Sequence, residues 1–77
     1  MNNTETRLLE IFRDVLEMQD LEVSSRLRPE NFEAWDSVAQ VNLVLATEAE
    51  FEIRFSTDEI SELRSFPDFV DAIERHA

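Results

Sequence analysis

The chain has 77 residues, 43% of them hydrophobic with six Phe and one Trp, and 18 acidic against seven basic side chains leave it at −11. That is enough apolar material for one small packed domain over 1–77 and too much for a disordered segment, although a domain this size hides only about 60–65% of its unfolded surface. The negative field makes nucleic acid and anionic membrane surfaces poor partners and favours a basic protein surface, unless the charge serves solubility alone.

The absence of Cys excludes a disulfide framework, a zinc site and a thiol nucleophile, and the absence of Gly excludes a Gly-rich phosphate loop. Turns and helix ends must therefore rely on Asn, Asp, Ser and Pro. All seven basic residues are Arg. The opening Met1-Asn2-Asn3-Thr4-Glu5 has neither the basic region nor the apolar run of a signal peptide. No apolar run approaches the ~18 residues of a membrane span. A soluble cytoplasmic protein is expected.

Thr4 or Asn3 can cap a first helix from about Glu5 to Met18. Leu8, Leu9, Phe12, Val15 and Leu16 recur at helical spacing and form one apolar stripe. Arg13 and Glu17 stand at i,i+4 and can pair on the other side. From Gln19 to Asp36 the periodicity is lost. Leu21, Val23, Leu27, Phe32 and Trp35 read as anchors that hold this loop onto the bundle, with a short helical turn around Pro29 to Glu33. Trp35 is either such an anchor or a ligand-stacking residue, and the anchor beside a helix start is favoured.

At Trp35-Asp36-Ser37-Val38 a second helix begins, running from Ser37 to about Phe51. The Asp36-Ser37 pair has two readings. In one, Ser37 to Gln40 forms an S-x-x-Q capping box, with Asp36 an equally good cap one residue earlier. In the other, the Ser37 hydroxyl receives a phosphate-linked group at the helix N-terminus. The helix carries two apolar stripes. Val38, Val41, Leu45 and Ala49 fall along one side, Leu43, Ala46 and Phe51 fall away from it, and Val44 lies between. A second stripe means burial on most sides or an apolar strip shown to a partner, and in so short a chain the partner strip is favoured.

Phe51 to Phe55 alternates like a strand but has no second strand to pair with, so an extended connector with its apolar residues inward is expected. Ser56-Thr57-Asp58-Glu59 is a capping box for a short third helix to about Leu63. Ser65-Phe66-Pro67-Asp68 starts a fourth helix with Pro in the first turn, and Phe66, Phe69, Val70 and Ile73 form its stripe. No repeat, low-complexity tract or second-domain boundary interrupts the chain. The fold expected is all-α, a small four-helix bundle with a long loop between helices one and two and a short third helix.

This element order, together with W-D-S-V, resembles the acyl carrier protein family. Residues Asp36-Ser37-Val38-Ala39-Gln40-Val41-Asn42-Leu43-Val44-Leu45 and the following acidic run to Phe51 look like the family's D-S-L signature helix. Weaker similarity continues through Phe55-Ser56-Thr57-Asp58-Glu59-Ile60 into helix four, so it covers nearly the whole chain. Trp35 before Asp-Ser is similar to a variant found in discrete carrier proteins outside the fatty-acid cycle.

The resemblance implies a phosphoprotein in which Ser37 carries a 4′-phosphopantetheine arm from coenzyme A, with Asp36 adjacent in the motif. Such a carrier holds acyl groups as thioesters in fatty-acid or secondary-metabolite biosynthesis. The chemistry agrees, since a chain without Cys must take its thiol from a cofactor. A phosphodiester at a helix N-terminus also sits near free N–H groups and the positive end of the dipole. The implied partners of this monomer are a phosphopantetheinyl transferase and acyl-loading and acyl-transferring enzymes with basic patches. The resemblance places Val38, Val41 and Leu45 on the outward strip, and Leu43, Val44, Ala46 and Phe51 towards the core. It also implies that Asp36, Glu48, Asp58 and Glu59 meet the basic patches.

The chain departs from the family pattern at several positions. Val38 replaces the usual Leu or Met, Ala39, Asn42 and Ala49 stand where acids are common, and Thr47 stands where an apolar residue is usual. These departures point to a dedicated set of partners. The alternative is a cofactor-free acidic helical adaptor for a basic protein surface, which explains the charge and the strip equally well. An enzyme is not expected. Cys, Lys and Tyr are absent, His76 is the only His, and Ser37 has no plausible His base. Glu48 and Glu50 read as a solvated face, with a weak divalent-ion site as the other possibility.

Overall fold

The computed structural model describes residues 3–22 and 29–76. Among these the chain forms α1 (Asn3–Leu16), one 3-10 turn (Pro29–Asn31), α2 (Ser37–Phe51), α3 (Thr57–Ser61) and α4 (Phe66–Arg75). The all-α bundle with its long α1–α2 loop and short α3 is as expected. The anchors Val23 and Leu27 lie outside the described residues.

Helix α1 buries Leu8, Leu9, Phe12 and Leu16 and packs against α2 and α4. It starts two residues earlier than expected and ends two earlier, because Glu17 turns to φ 55°. The Met18 N–H then donates to Arg13 O at 3.0 Å, a six-to-one closure of the last turn. With Glu17 outside the helix, the i,i+4 geometry for Arg13 is gone. Arg13 Nε instead donates to Leu21 O at 2.8 Å and ties down the start of the loop. Helix α2 ends the same way, with Glu52 at φ 54° and the Ile53 N–H on Glu48 O at 3.1 Å. In a chain without Gly, two glutamates take the left-handed positions where Gly is usual.

The core is built around Phe12. Its ring meets Trp35, Phe66 and Phe69 edge-on at centroid distances of 5.0, 5.1 and 5.2 Å, the arrangement that aromatic quadrupoles favour. Trp35 is an anchor, only 3% exposed. Helix α4 is capped by Ser65, whose Oγ accepts from the Asp68 N–H, and buries Phe66, Phe69, Ala72 and Ile73. Helix α3 stops at Ser61, short of Leu63. Its capping box is complete, with Ser56 Oγ accepting from the Glu59 N–H and Glu59 Oε1 from the Ser56 N–H. The connector forms no strand. It turns Phe55 into the core and leaves Ile53 half-buried.

Two inward residues of α2 are only partly buried. Phe51 lies at the edge of the core and is half-buried. The Arg7 guanidinium covers it at 4.4 Å, while Arg7 also bonds Glu50 Oε2 and Glu50 O at 2.8 Å each. Arg7 thus supplies the cation that favours a helix C-terminus. Ala46 is likewise half-buried. The buried face of α2 is Ala39, Leu43, Val44 and Thr47.

Candidate functional site

The start of α2 is held by contacts on both sides of it. Backbone turns from Phe32 N–H to Pro29 O and from Trp35 N–H to Phe32 O lead the chain to Trp35, which drops into the core. Asp36 is the N-cap, and its Oδ1 accepts from the Ala39 N–H at 2.8 Å. The S-x-x-Q capping box from Ser37 is not formed. Asp36 already reaches the N–H that needs an acceptor, and the Gln40 side chain is used elsewhere. Gln40 Oε1 accepts from Trp35 Nε1 at 2.7 Å, and its Nε2 donates to Leu63 O at 2.9 Å. One side chain therefore ties the loop, α2 and the α3–α4 connection together.

Ser37 is the first residue of α2 and is exposed. Its hydroxyl makes no hydrogen bond to another described residue. The N–H groups of Ser37 and Val38 lie in the first turn, where no intrahelical acceptor exists. Ser37 opens onto a groove of about 710 Å³ between the 3-10 turn, α2 and the end of α3. Trp35, Ile60 and Leu63 give it apolar walls, and Glu30, Asp36 and Arg64 are the charged residues among those described. No His lines it. The signals for Ile60, Leu63 and Arg64 were absent from the local pattern, since the α3–α4 connection reaches Ser37 only through tertiary packing.

Along α2 the two stripes separate cleanly. Val38, Val41 and Leu45 are 70%, 56% and 58% exposed, while Leu43 and Thr47 are fully buried. Thr47 Oγ1 has no hydrogen-bond partner among the described residues. Ala39 is buried.

The acidic residues differ in exposure and in what they bond, Asp36 being tied to the cap of α2. Asp36 and Asp58 are exposed. Glu48 is half-buried, and its Oε2 accepts from the Phe55 N–H at 2.9 Å. Glu59 bonds the Ser56 N–H and lies 2.9 Å from His76 Nε2. The Ser56 N–H holds the Glu59 carboxyl below its ordinary value, with His76 adding to this and desolvation opposing it. Glu50 pairs with Arg7, so Glu48 and Glu50 have separate partners. Among the described residues no three metal-ligating side chains cluster, and no helix is long and apolar enough to cross a membrane.

No family model, curated protein or solved structure matches this chain.

Proposed function

We propose that this protein is an acyl carrier protein, with Ser37 as the attachment point for a 4′-phosphopantetheine arm. The observation that carries the reading is the division of labour at the head of α2. Asp36 performs the cap, which leaves an exposed Ser37 hydroxyl with no structural task at the mouth of a groove. An ordinary helix cap would have its hydroxyl turned back onto the first-turn N–H groups.

The residues present fit such an arm. The unpaired N–H groups of the first turn favour a phosphate oxygen, and the groove has the ~300–1,000 Å³ typical of small-molecule sites. Ser37 Oγ attacks coenzyme A at phosphorus and loses its proton. A new P–O bond forms and the P–O bond to adenosine 3′,5′-bisphosphate breaks. The Ser37 surroundings hold no His to take that proton, so the base comes from the transferase. When attached, the arm supplies the thiol that the chain lacks, and it holds an acyl group as a thioester. Val38, Val41 and Leu45 form the docking strip for the transferase and for acyl-loading enzymes. Exposed Asp36 and Asp58 steer basic patches, and steering acts mainly on the association rate. Glu48 and Glu59 are half-buried, which makes them weaker candidates for that contact.

The test is the intact mass after incubation with coenzyme A, magnesium and a promiscuous phosphopantetheinyl transferase. One arm is expected in the wild type and none in Ser37→Ala, with helical circular dichroism unchanged. A mass shift that survives in Ser37→Ala moves the site elsewhere. No shift with several transferases leaves the cofactor-free acidic adaptor, for which the same exposed strip would be the binding face.

A further inference from the structure

Apart from Ser37 itself, the groove beside Ser37 contains one feature that the attachment chemistry does not require. Among the described residues its charged ones are Glu30, Asp36 and Arg64. A phosphodiester on Ser37 would add an anion to a groove that already holds two carboxylates, on a chain at −11. A cation in the same groove attracts that anion and biases where it rests.

Arg64 is that cation among the described groove residues. Its backbone N–H is held by Asp68 Oδ2 at 3.0 Å, which fixes the start of its side chain. Its guanidinium, by contrast, is loosely engaged. Nε makes a long 3.4 Å bond to Ser61 O, and no described carboxylate pairs with it. Ser61 and Arg64 both line the groove, and the long bond between them is weak enough to exchange. An Arg fork offers two parallel N–H donors to phosphate oxygens.

We infer that Arg64 is a positioning residue that clamps the phosphodiester attached to Ser37 and lays the arm along the Ile60–Leu63 wall of the groove. This rests on the carrier reading. Glu30 and Asp36 face the same space and repel the phosphate, which directs it towards the α3–α4 side. Trp35 Nε1 does not compete for it, being committed to Gln40 Oε1.

The test compares apo and holo forms of the full chain by ¹⁵N–¹H correlation spectra, with the ³¹P resonance of the arm as a second readout. Mass spectrometry first establishes attachment. In the wild type, attachment should shift the amides of 60–64 and the Arg64 Nε–H as well as those of 37–39. In Arg64→Gln the shifts at 60–64 should be lost while those at 37–39 persist, and the ³¹P resonance should move. Arg64→Lys, which keeps the charge without the fork, should retain only part of the effect. Arg75→Gln makes the same charge change away from the groove and should behave as wild type. Attachment with shifts confined to 37–39 in the wild type overturns the clamp and leaves the carrier reading standing. So does an Arg64→Gln spectrum that matches wild type. Failure of attachment itself overturns the carrier reading, and the clamp with it.

Discussion

The indole Nε1 of Trp35 donates to Gln40 Oε1 at 2.7 Å, and through the Gln40 amide nitrogen this contact continues to Leu63 O. A Trp so deeply buried needs an acceptor for its N–H, and here the acceptor comes from the second turn of the helix that the Trp introduces. The contact sets the depth at which α2 begins, and with it the position of Ser37 at the groove.

Replacing Gln40 by Leu keeps the volume and removes both bonds. The Trp35 N–H and the Leu63 carbonyl are then left without a partner, at about 1–3 kcal/mol for each group that stays buried. Gln40→Leu should lower the denaturation midpoint and shift the emission of the single Trp. A variant as stable as wild type with unchanged emission would show that the bridge contributes nothing.

The two faces of α2 should separate in a melting experiment. Leu43→Ala removes a fully buried side chain, which costs about 2–5 kcal/mol. Val41→Ser and Leu45→Ser act on the exposed strip and should stay within ~0.5 kcal/mol of wild type, while slowing loading by the transferase. Phe51→Ala should cost less than the ~3–5 kcal/mol of a buried Phe, because Phe51 is only half-buried under Arg7. Melting of Leu45→Ser as severe as that of Leu43→Ala would remove the docking strip.

Thr47 presents a buried hydroxyl with no hydrogen-bond partner among the described residues. Leaving such a group unpaired costs about 1–3 kcal/mol, and Val has nearly the same shape without it. Thr47→Val should therefore raise stability by about 1 kcal/mol, read as a rise of ~4–8 °C in Tm for a domain of this size. A loss of stability instead would mean that the hydroxyl has an acceptor, such as an ordered water.

Glu59 makes the start of α3 sensitive to acid. Its carboxyl lies below the ordinary 4.5 because the Ser56 N–H, and then His76, favour the charged form. A depressed folded value means that the unfolded chain takes up the proton first. The stabilisation is therefore present above 4.5 and is lost as the pH falls through the folded value. Glu59→Gln can still accept the capping bond, so the variant isolates the charge. Wild type should melt above Glu59→Gln at pH 7, and the gap should close below pH 4.5. A gap that is constant down to pH 3 would assign the effect to shape rather than ionisation.

The helices, and the starts of α2, α3 and α4, were legible in the sequence because capping is local, whereas α1 begins two residues ahead of its expected start. Ser56 with Glu59, and Ser65 with Pro67, need only three or four residues to declare themselves, and both caps form as read. The apolar strip of α2 was legible for the same reason, since a 100° period sorts Val38, Val41 and Leu45 from Leu43 without reference to a partner. The end of α2 at Phe51 is as expected, while α1 and α3 end earlier than expected. In the absence of Gly, nothing in Glu17 or Glu52 marks a left-handed residue. Tertiary structure alone decided what the polar side chains do. Gln40 and Glu48 each had an exposed or capping role open to them along their own helix. Each instead found a partner outside it, Leu63 O and the Phe55 N–H, at sequence separations of 23 and seven. The groove beside Ser37 belongs to the same class. It is formed by α2, the 3-10 turn and the α3–α4 connection meeting in space, and no helical period reports a meeting of segments far apart in the chain.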